Sequence, residues 1–218
     1  IFLIALNAEG KISTKNLNEL NKYCQEVHVI TLSLFTRFIN IIKSFFKREP
    51  IQVGYFYSHN ANQKIQSIIE NIKPDWCYGQ LIRTAKYIQD EKNNMIDYMD
   101  ALSKGIDRRI NQFPRIFQPL INREYIITKE YESFIFNQFK RHTIITKNDR
   151  QFIQHKNNAK IEIIPNGVDT EYFKDRKIKR KKYDLIFVGN MSYPPNVTAV
   201  VYLCEKILPI ITKKYKKC

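Results

Sequence analysis

Cysteine is scarce in this chain, and neither it nor histidine is arranged for metal or redox chemistry. The four cysteines, at 24, 77, 204 and 218, form no CxxC pair and do not cluster with the histidines at 28, 59, 142 and 155. That spacing suggests neither a zinc site nor a disulfide framework, so reduced thiols and no metal are the expectation. The histidines lack any triad spacing, and each is expected at the surface or in the core. Long hydrophobic runs are missing too. No apolar stretch approaches the ~20 residues needed to cross a bilayer. The apolar start Ile1-Phe2-Leu3-Ile4-Ala5-Leu6 has neither a preceding basic region nor the length of a signal-peptide core. A cytoplasmic protein is expected, with a peripheral place at the inner face of the membrane as a second option. A GxGxxG turn after the first strand and an acidic residue after the second are both absent, against an ordinary dinucleotide-binding enzyme. No RNP, KH or helix-turn-helix signature appears, so no specific nucleic-acid partner is expected.

What is present is ample apolar material and excess positive charge. The 218 residues are 44% hydrophobic and 13% aromatic, enough to bury a sizeable core. Lys and Arg number 36 against 21 Asp and Glu, a net charge of +15. Such an excess steers a protein toward phosphates, anionic lipid or nucleic acid, although a compositional bias with merely solvated lysines accounts for the bulk of it equally well. Two basic clusters stand out. One runs from Lys174 to Lys182 and reads as an interdomain linker, and the other is Lys213-Lys214-Tyr215-Lys216-Lys217.

Hydrophobic periodicity predicts alternating strands and helices. Strands are expected at Ile1–Leu6, Val27–Leu32, Trp76–Tyr78, Met95–Tyr98, Thr143–Thr146 and Lys160–Ile164. Helices are expected at Ser13–Tyr23, at His59–Asn71 with Ile65, Ile68, Ile69 and Ile72 on one face, after the strand ending at Tyr98 and through Ile110, over Ile116–Lys140 with one possible break, and over Asn148–His155. This alternation predicts an α/β fold with a Rossmann-like, doubly wound parallel sheet. Leu34–Phe46 stands apart, with Phe35, Phe38, Ile39, Ile42, Phe45 and Phe46 interleaved with Arg37, Lys43, Lys47 and Arg48. Two destinations are open: packing on the domain's own core, which is the expectation, or lying in a lipid interface.

The most informative segment is Tyr183-Asp184-Leu185-Ile186-Phe187-Val188-Gly189-Asn190-Met191-Ser192-Tyr193-Pro194-Pro195-Asn196. It reads as a buried strand, a glycine turn and a helix start, with Ser192 or Asn190 as N-cap and Pro194 or Pro195 in the first turn. Free amides at such a start favour an anion, which makes Gly189 and Asn190 candidate phosphate binders.

Gly189-Asn190-Met191 followed by Tyr193, Pro195-Asn196-Val197 and Ala199 resembles the opening of the second domain of GT-B glycosyltransferases, in particular the GT4-type transferases of bacterial polysaccharide pathways. Upstream, Ile164-Pro165-Asn166-Gly167-Val168-Asp169 with Phe173 is similar to the "IPNGVD…F" signature that precedes that domain. Met95-Ile96-Asp97-Tyr98-Met99-Asp100-Ala101-Leu102-Ser103 resembles the family's "DxxDxxS" stretch at a strand end facing the interdomain cleft, where ligands of open α/β sheets bind. Tyr131-Glu132 and Thr146–Arg150 are similar to a "YE" helix and a "vSexD" strand end. Gly10-Lys11-Ile12 resembles the end of the glycine loop after the first strand, but the loop from Leu6 to Gly10 is short and lacks the usual second glycine and aromatic-proline segment.

The resemblance implies an N-terminal acceptor-side domain over 1–173, a basic linker over 174–182, and at 183–218 the first strand and helix of a second Rossmann-like, nucleotide-sugar-binding domain. The chain is therefore expected to be a fragment, inactive or nearly so alone, because the basic residues and acidic "EX7E" pair that hold the donor are absent. The implied reaction moves a sugar from a nucleotide-diphosphate donor to a hydroxyl of a glycan or lipid-linked acceptor, retaining at the anomeric carbon, with no metal and no cofactor besides the donor. Asp100 is the candidate catalytic residue. Gly189 and Asn190 are candidates for the donor phosphates, and Gly10, Lys11, Asp97, Ser103, Asn166 and Gly167 for the acceptor cleft. Asp100 is equally readable as an N-cap for the helix at Leu102 and Ser103. Asp149 is read as a cap or first-turn dipole partner, and Glu132 as making a structural hydrogen bond or an ion pair. The alternative is a noncatalytic basic domain that binds nucleotide or nucleic acid.

Overall fold

The computed structural model describes residues 1–10, 12–174 and 184–215. The chain divides into two units, Ile1–Asn166 and Gly167–Cys218.

In the first unit, parallel strands alternate with helices. Strand β1 (Phe2–Asn7) pairs in parallel with β2 (Glu26–Thr31), from Phe2 opposite Glu26 to Asn7 opposite Thr31. Between them lies α1 (Thr14–Leu20), started by Ser13, whose Oγ accepts the Asn16 N–H. This helix is shorter than expected at its carboxyl end and has no fully buried residue. A helical hairpin follows, α2 (Leu34–Lys47) and α3 (Ile51–Phe56), the second of which sequence periodicity does not reveal. Then comes α4 (His59–Ile72), capped by Ser58 and ended by Lys73 in a left-handed conformation, with Ile65 turned into the core as expected.

The larger sheet is built from β3 (Cys77–Gln80), β4 (Asn94–Asp97), β5 (Arg141–Ile144) and β6 (Glu162–Ile163), hydrogen-bonded in that order and all parallel. A 3-10 turn and α5 (Ala85–Ile88) connect β3 to β4. Next, α6 (Leu102–Asp107), a 3-10 turn at Ile110–Gln112 and α7 (Gln118–Phe136) connect β4 to β5. Finally α8 (Lys147–Phe152) and a 3-10 turn at Asn158–Lys160 lead to β6. The fold is α/β with a four-stranded parallel sheet. The β1–β2 pair forms its own two-stranded sheet rather than extending the larger one.

Parallel strands covered on both faces need continuous apolar side chains. Ile96 of β4, Ile144 of β5 and Ile135 of α7 accordingly have no exposed surface. One polar residue is buried at the entry to β4, and both ends of its amide are bonded. Asn94 Nδ2 donates to the carbonyls of Ile88, Gln89 and Gln138, and its Oδ1 accepts the Lys140 N–H at 2.9 Å. This satisfies a group that would otherwise be costly inside, and it ties the start of β4 to the chain entering β5. His142 is a core residue, stacked on Phe136 with ring centroids 4.0 Å apart and bonded to the Phe136 carbonyl; burial lowers its pKa.

Several sequence expectations need correction. The helix after β4 stops at Asp107 rather than Ile110, α7 runs from Gln118 to Phe136 without a break, and β5 lies two residues earlier than expected. The aromatic helix α2 does not pack its apolar face on the core. Its buried residues are Arg37 and Ser44, while Phe35, Phe38 and Phe46 remain 73%, 64% and 79% exposed.

The second unit contains α9 (Pro194–Tyr202), a π-helical turn at Leu203–Ile207 and α10 (Leu208–Lys214). Pro194 and Pro195 occupy the first turn of α9 as expected, but the N-cap is Tyr193, with no side-chain cap from Ser192 or Asn190. The strand expected over Leu185–Val188 does not form, and Ile186 and Val188 are exposed. A parallel strand requires a neighbour for its ladder, and no strand occurs among the described residues of this unit. Most of the basic segment at 174–182 lies outside the described residues.

Candidate functional site

The residues singled out around β4 converge at the carboxyl end of the larger sheet. Beyond Asp97 the chain turns sharply: Tyr98 N–H donates to the Thr143 carbonyl, Asp100 N–H to the Tyr98 carbonyl at 2.8 Å, and Ile145 N–H to the Met99 carbonyl. Met99, at the centre of this turn, has a φ of 63°, and Leu81, just past the neighbouring strand β3, has φ 71° and ψ 147°. Two other non-glycine residues with positive φ, Arg48 and Lys73, end helices in the ordinary left-handed cap. Leu81 and Met99 have no such reason, and Leu81 occupies a region that side-chain-bearing residues avoid. Backbone strain is thus stored on adjacent strands at one sheet edge, where Leu81 N–H also donates to the Asp97 carbonyl at 2.7 Å.

Asp97 is buried and held at both oxygens. Oδ2 accepts the Tyr78 hydroxyl at 2.7 Å and Oδ1 accepts the Met99 N–H at 3.0 Å. Partial loss of hydration, together with the bond to Asp97 and its charge, pushes the Tyr78 phenol well above its usual range, so it stays a donor.

Asp100 is an exposed residue with a partly shielded carboxyl. Loss of hydration raises its pKa and the nearby Asp149 carboxylate adds to the rise, while its own backbone amide, Arg109 and Arg83 oppose it. Asp100 does not cap α6. That N-cap is Ala101, which has no side chain to offer.

The cap comes from α7 instead. Glu132 Oε1 accepts the Ser103 N–H at 3.1 Å and Oε2 accepts the Ser103 hydroxyl at 2.6 Å. Both residues are buried. Burial pushes the Glu132 carboxyl up to about 7, against the lowering effect of its bonds to Ser103 and Leu102. Next to this, Thr146 caps α8 by accepting the Asp149 N–H at 3.0 Å, which places Asp149 in the first turn as expected.

Asp97, Asp100 and Ser103 are therefore brought together, with Arg83, Arg109, Asp149 and Glu132 around them. Sequence reasoning found the acids but missed the two arginines and the two strained residues, for which no local sequence signal exists. The remaining candidates lie elsewhere. Gly10 follows β1 in the separate two-stranded sheet, and its carbonyl accepts from Asn7 Nδ2 at 2.7 Å. Lys11 lies outside the described residues. Asn166 is exposed beyond β6.

Gly167, Gly189 and Asn190 belong to the second unit. Gly167 is exposed, and a Cβ there meets nothing within 4 Å, as at Gly10. At Gly189 a Cβ would lie 2.9 Å from Asn196 Nδ2, so the turn is crowded by that amide. Asn190 shapes the turn: its Oδ1 accepts the Ser192 N–H and its carbonyl accepts Asn196 Nδ2, both at 2.9 Å.

The site thus combines an exposed carboxyl that holds its proton more tightly than usual, two cations and a rigid hydroxyl–carboxyl pair behind them. Such a group can accept or deliver a proton at a polar ligand's hydroxyl. Comparison of the chain with family models, curated proteins and solved structures returns no match.

Proposed function

We propose that the chain carries the acceptor-side domain of a GT-B glycosyltransferase of GT4 type, which moves a sugar from a nucleotide-diphosphate sugar to a hydroxyl of a glycan or lipid-linked acceptor. The observation that carries this reading is the strained edge at Leu81 and Met99 beside Asp97 and Asp100, because unfavourable backbone conformations persist where function selects them. The ordered motifs at Met95–Ser103, Ile164–Asp169 and Gly189–Ala199 support it, as does the parallel sheet, whose carboxyl edge is where ligands of such folds bind.

In this reading Asp100 accepts a hydrogen bond from the attacking hydroxyl and orients it. Arg109 and Arg83 hold the charge of the site in balance. The Ser103–Glu132 pair fixes α6, so the loop bearing Asp100 keeps its geometry. The resemblance assigns the donor phosphates to amides around Gly189 and Asn190, and stabilising the charge of a leaving diphosphate supplies much of the rate of such a reaction. Retention and independence from metal follow from the resemblance.

The test uses the protein expressed from its whole reading frame, supplied with labelled UDP-, GDP- and dTDP-sugars and a bacterial lipid and glycan extract. Label is expected in the acceptor fraction, and Asp100→Asn is expected to lower kcat by about 100-fold or more with the fold intact. Transfer at the wild-type rate by that variant would remove Asp100 from the site. Nucleotide binding without transfer from any donor would favour a noncatalytic domain.

A further inference from the structure

Helix α2 is built inside out. Its polar side faces the protein: Arg37 Nη1 donates to the Tyr55 hydroxyl at 2.6 Å, Asn40 Nδ2 donates to the Tyr57 carbonyl at 2.6 Å, and Ser44 packs against Gly54 of α3. The opposite side presents Leu34, Phe35, Phe38, Ile42, Phe45 and Phe46, all exposed and spaced to share one face. A monomeric protein rarely exposes so large an apolar stripe without a use for it.

We infer that this face is a docking surface for an anionic lipid bilayer, with α2 lying flat in the interface. The charges name the occupant. The fourteen residues of α2 include no acid; Lys43 is exposed at the border of the aromatic stripe, and Lys47 and the terminating Arg48 are exposed at the carboxyl end of the helix. At the carboxyl end of the stripe lies a groove of about 380 Å³ lined by Arg48, Asn122 and Arg123 among others. Arg123 stacks over Phe45 at 4.3 Å from the ring centroid, so a cation sits directly at the aromatic edge. Glu130 pairs with Arg48 at 3.5 Å and is an acid facing this rim. An apolar, aromatic face bordered by Lys and Arg matches the boundary between acyl chains and anionic headgroups. At 1.5 Å per residue α2 is only about 21 Å long, so it lies in the interface rather than crossing it. A second copy is a poor occupant, because a two-fold contact through this face would set each cationic rim close to its own copy. The inference stands independently of sugar transfer.

The test is co-sedimentation of the full chain with phosphatidylcholine vesicles, with and without 30% phosphatidylglycerol, a composition chosen to give about the surface charge of an anionic leaflet. Binding is expected to the anionic vesicles and to be at least about 10-fold weaker on the neutral ones. Phe38→Ser with Phe46→Ser is expected to weaken binding by about 10-fold or more. Lys43→Gln with Lys47→Gln is expected to weaken it by roughly 25-fold, at about fivefold per basic residue. All four residues are exposed, and circular dichroism with a thermal melt checks that each variant is folded. Equal partition of the phenylalanine variant and the wild type would overturn the inference. So would a dimer in sedimentation equilibrium that the same substitutions dissolve while vesicle binding is absent.

Discussion

Ser103 and Glu132, twenty-nine positions apart, form a buried pair in which one carboxylate takes both the amide and the hydroxyl of one serine. The pair replaces the local N-cap that α6 lacks, and it couples the helix after β4 to the long helix α7. Its position behind Asp100 makes it the support of the candidate site.

That pair sets a pH dependence. The Glu132 carboxyl is raised from 4.5 to about 7 by burial, so the folded protein keeps a proton that the unfolded chain releases. Stability from this group is present below about pH 4.5 and is lost as pH rises toward 7, by on the order of 3 kcal/mol. Glu132→Gln keeps the shape and removes the titration. Urea unfolding at pH 5 and pH 8 should show a larger loss for the wild type than for this variant; parallel losses would mean that the proton resides elsewhere. Glu132→Ala leaves the Ser103 amide and hydroxyl unpaired and should cost about 2–4 kcal/mol at either pH.

Glycines divide into two kinds. A Cβ at Gly54 would fall 1.7 Å from Ser44 Oγ and 3.2 Å from the Asn40 carbonyl, where α2 meets α3. Gly54→Ala should destabilise by about 3 kcal/mol, at the upper end of overpacking costs. Adding Ser44→Ala should recover part of that, since the hydroxyl is the clashing atom, and denaturant midpoints of the single and double variants measure the coupling. Gly10→Ala and Gly167→Ala meet open space, and neither position has a positive φ. Their melting temperatures should match or slightly exceed that of the wild type.

Tyr78 and Asp97 join adjacent strands across the candidate edge. Tyr78→Phe removes the donor to Asp97 Oδ2 and leaves the Met99 amide on Oδ1. Because Tyr78 is 53% exposed, water can replace the lost donor, and the expected cost is about 1 kcal/mol. Urea titration checks this, and a cost near zero would show that the bond adds nothing beyond solvation.

Much of the layout was legible because it is local. The apolar runs of β4 and β5 and the isoleucine face of α4 are short-range patterns that report the period of the element they form. The acids Asp97, Asp100 and Glu132 were also visible in the chain, and Glu132 makes the structural hydrogen bonds expected of it, though its partner Ser103 was not legible. Asp100 looked as good a cap as any, and the cap arrived from twenty-nine residues downstream.

Sequence alone determined the alternation of strands and helices, the excess of positive charge and the two-sided chemistry of α2, since each depends on the order of residues along one segment. Tertiary structure decided which side of α2 faces outward, because burying Arg37, Asn40 and Ser44 depends on the Tyr55 hydroxyl, the Tyr57 carbonyl and the bare surface of Gly54. It also decided that Leu185–Val188 does not become a strand, because hydrogen-bonding partners for a ladder come from other segments. The pull on Asp100 from Arg83, Arg109 and Asp149 was likewise settled in space, since electrostatic coupling depends on distance through the fold rather than separation along the chain.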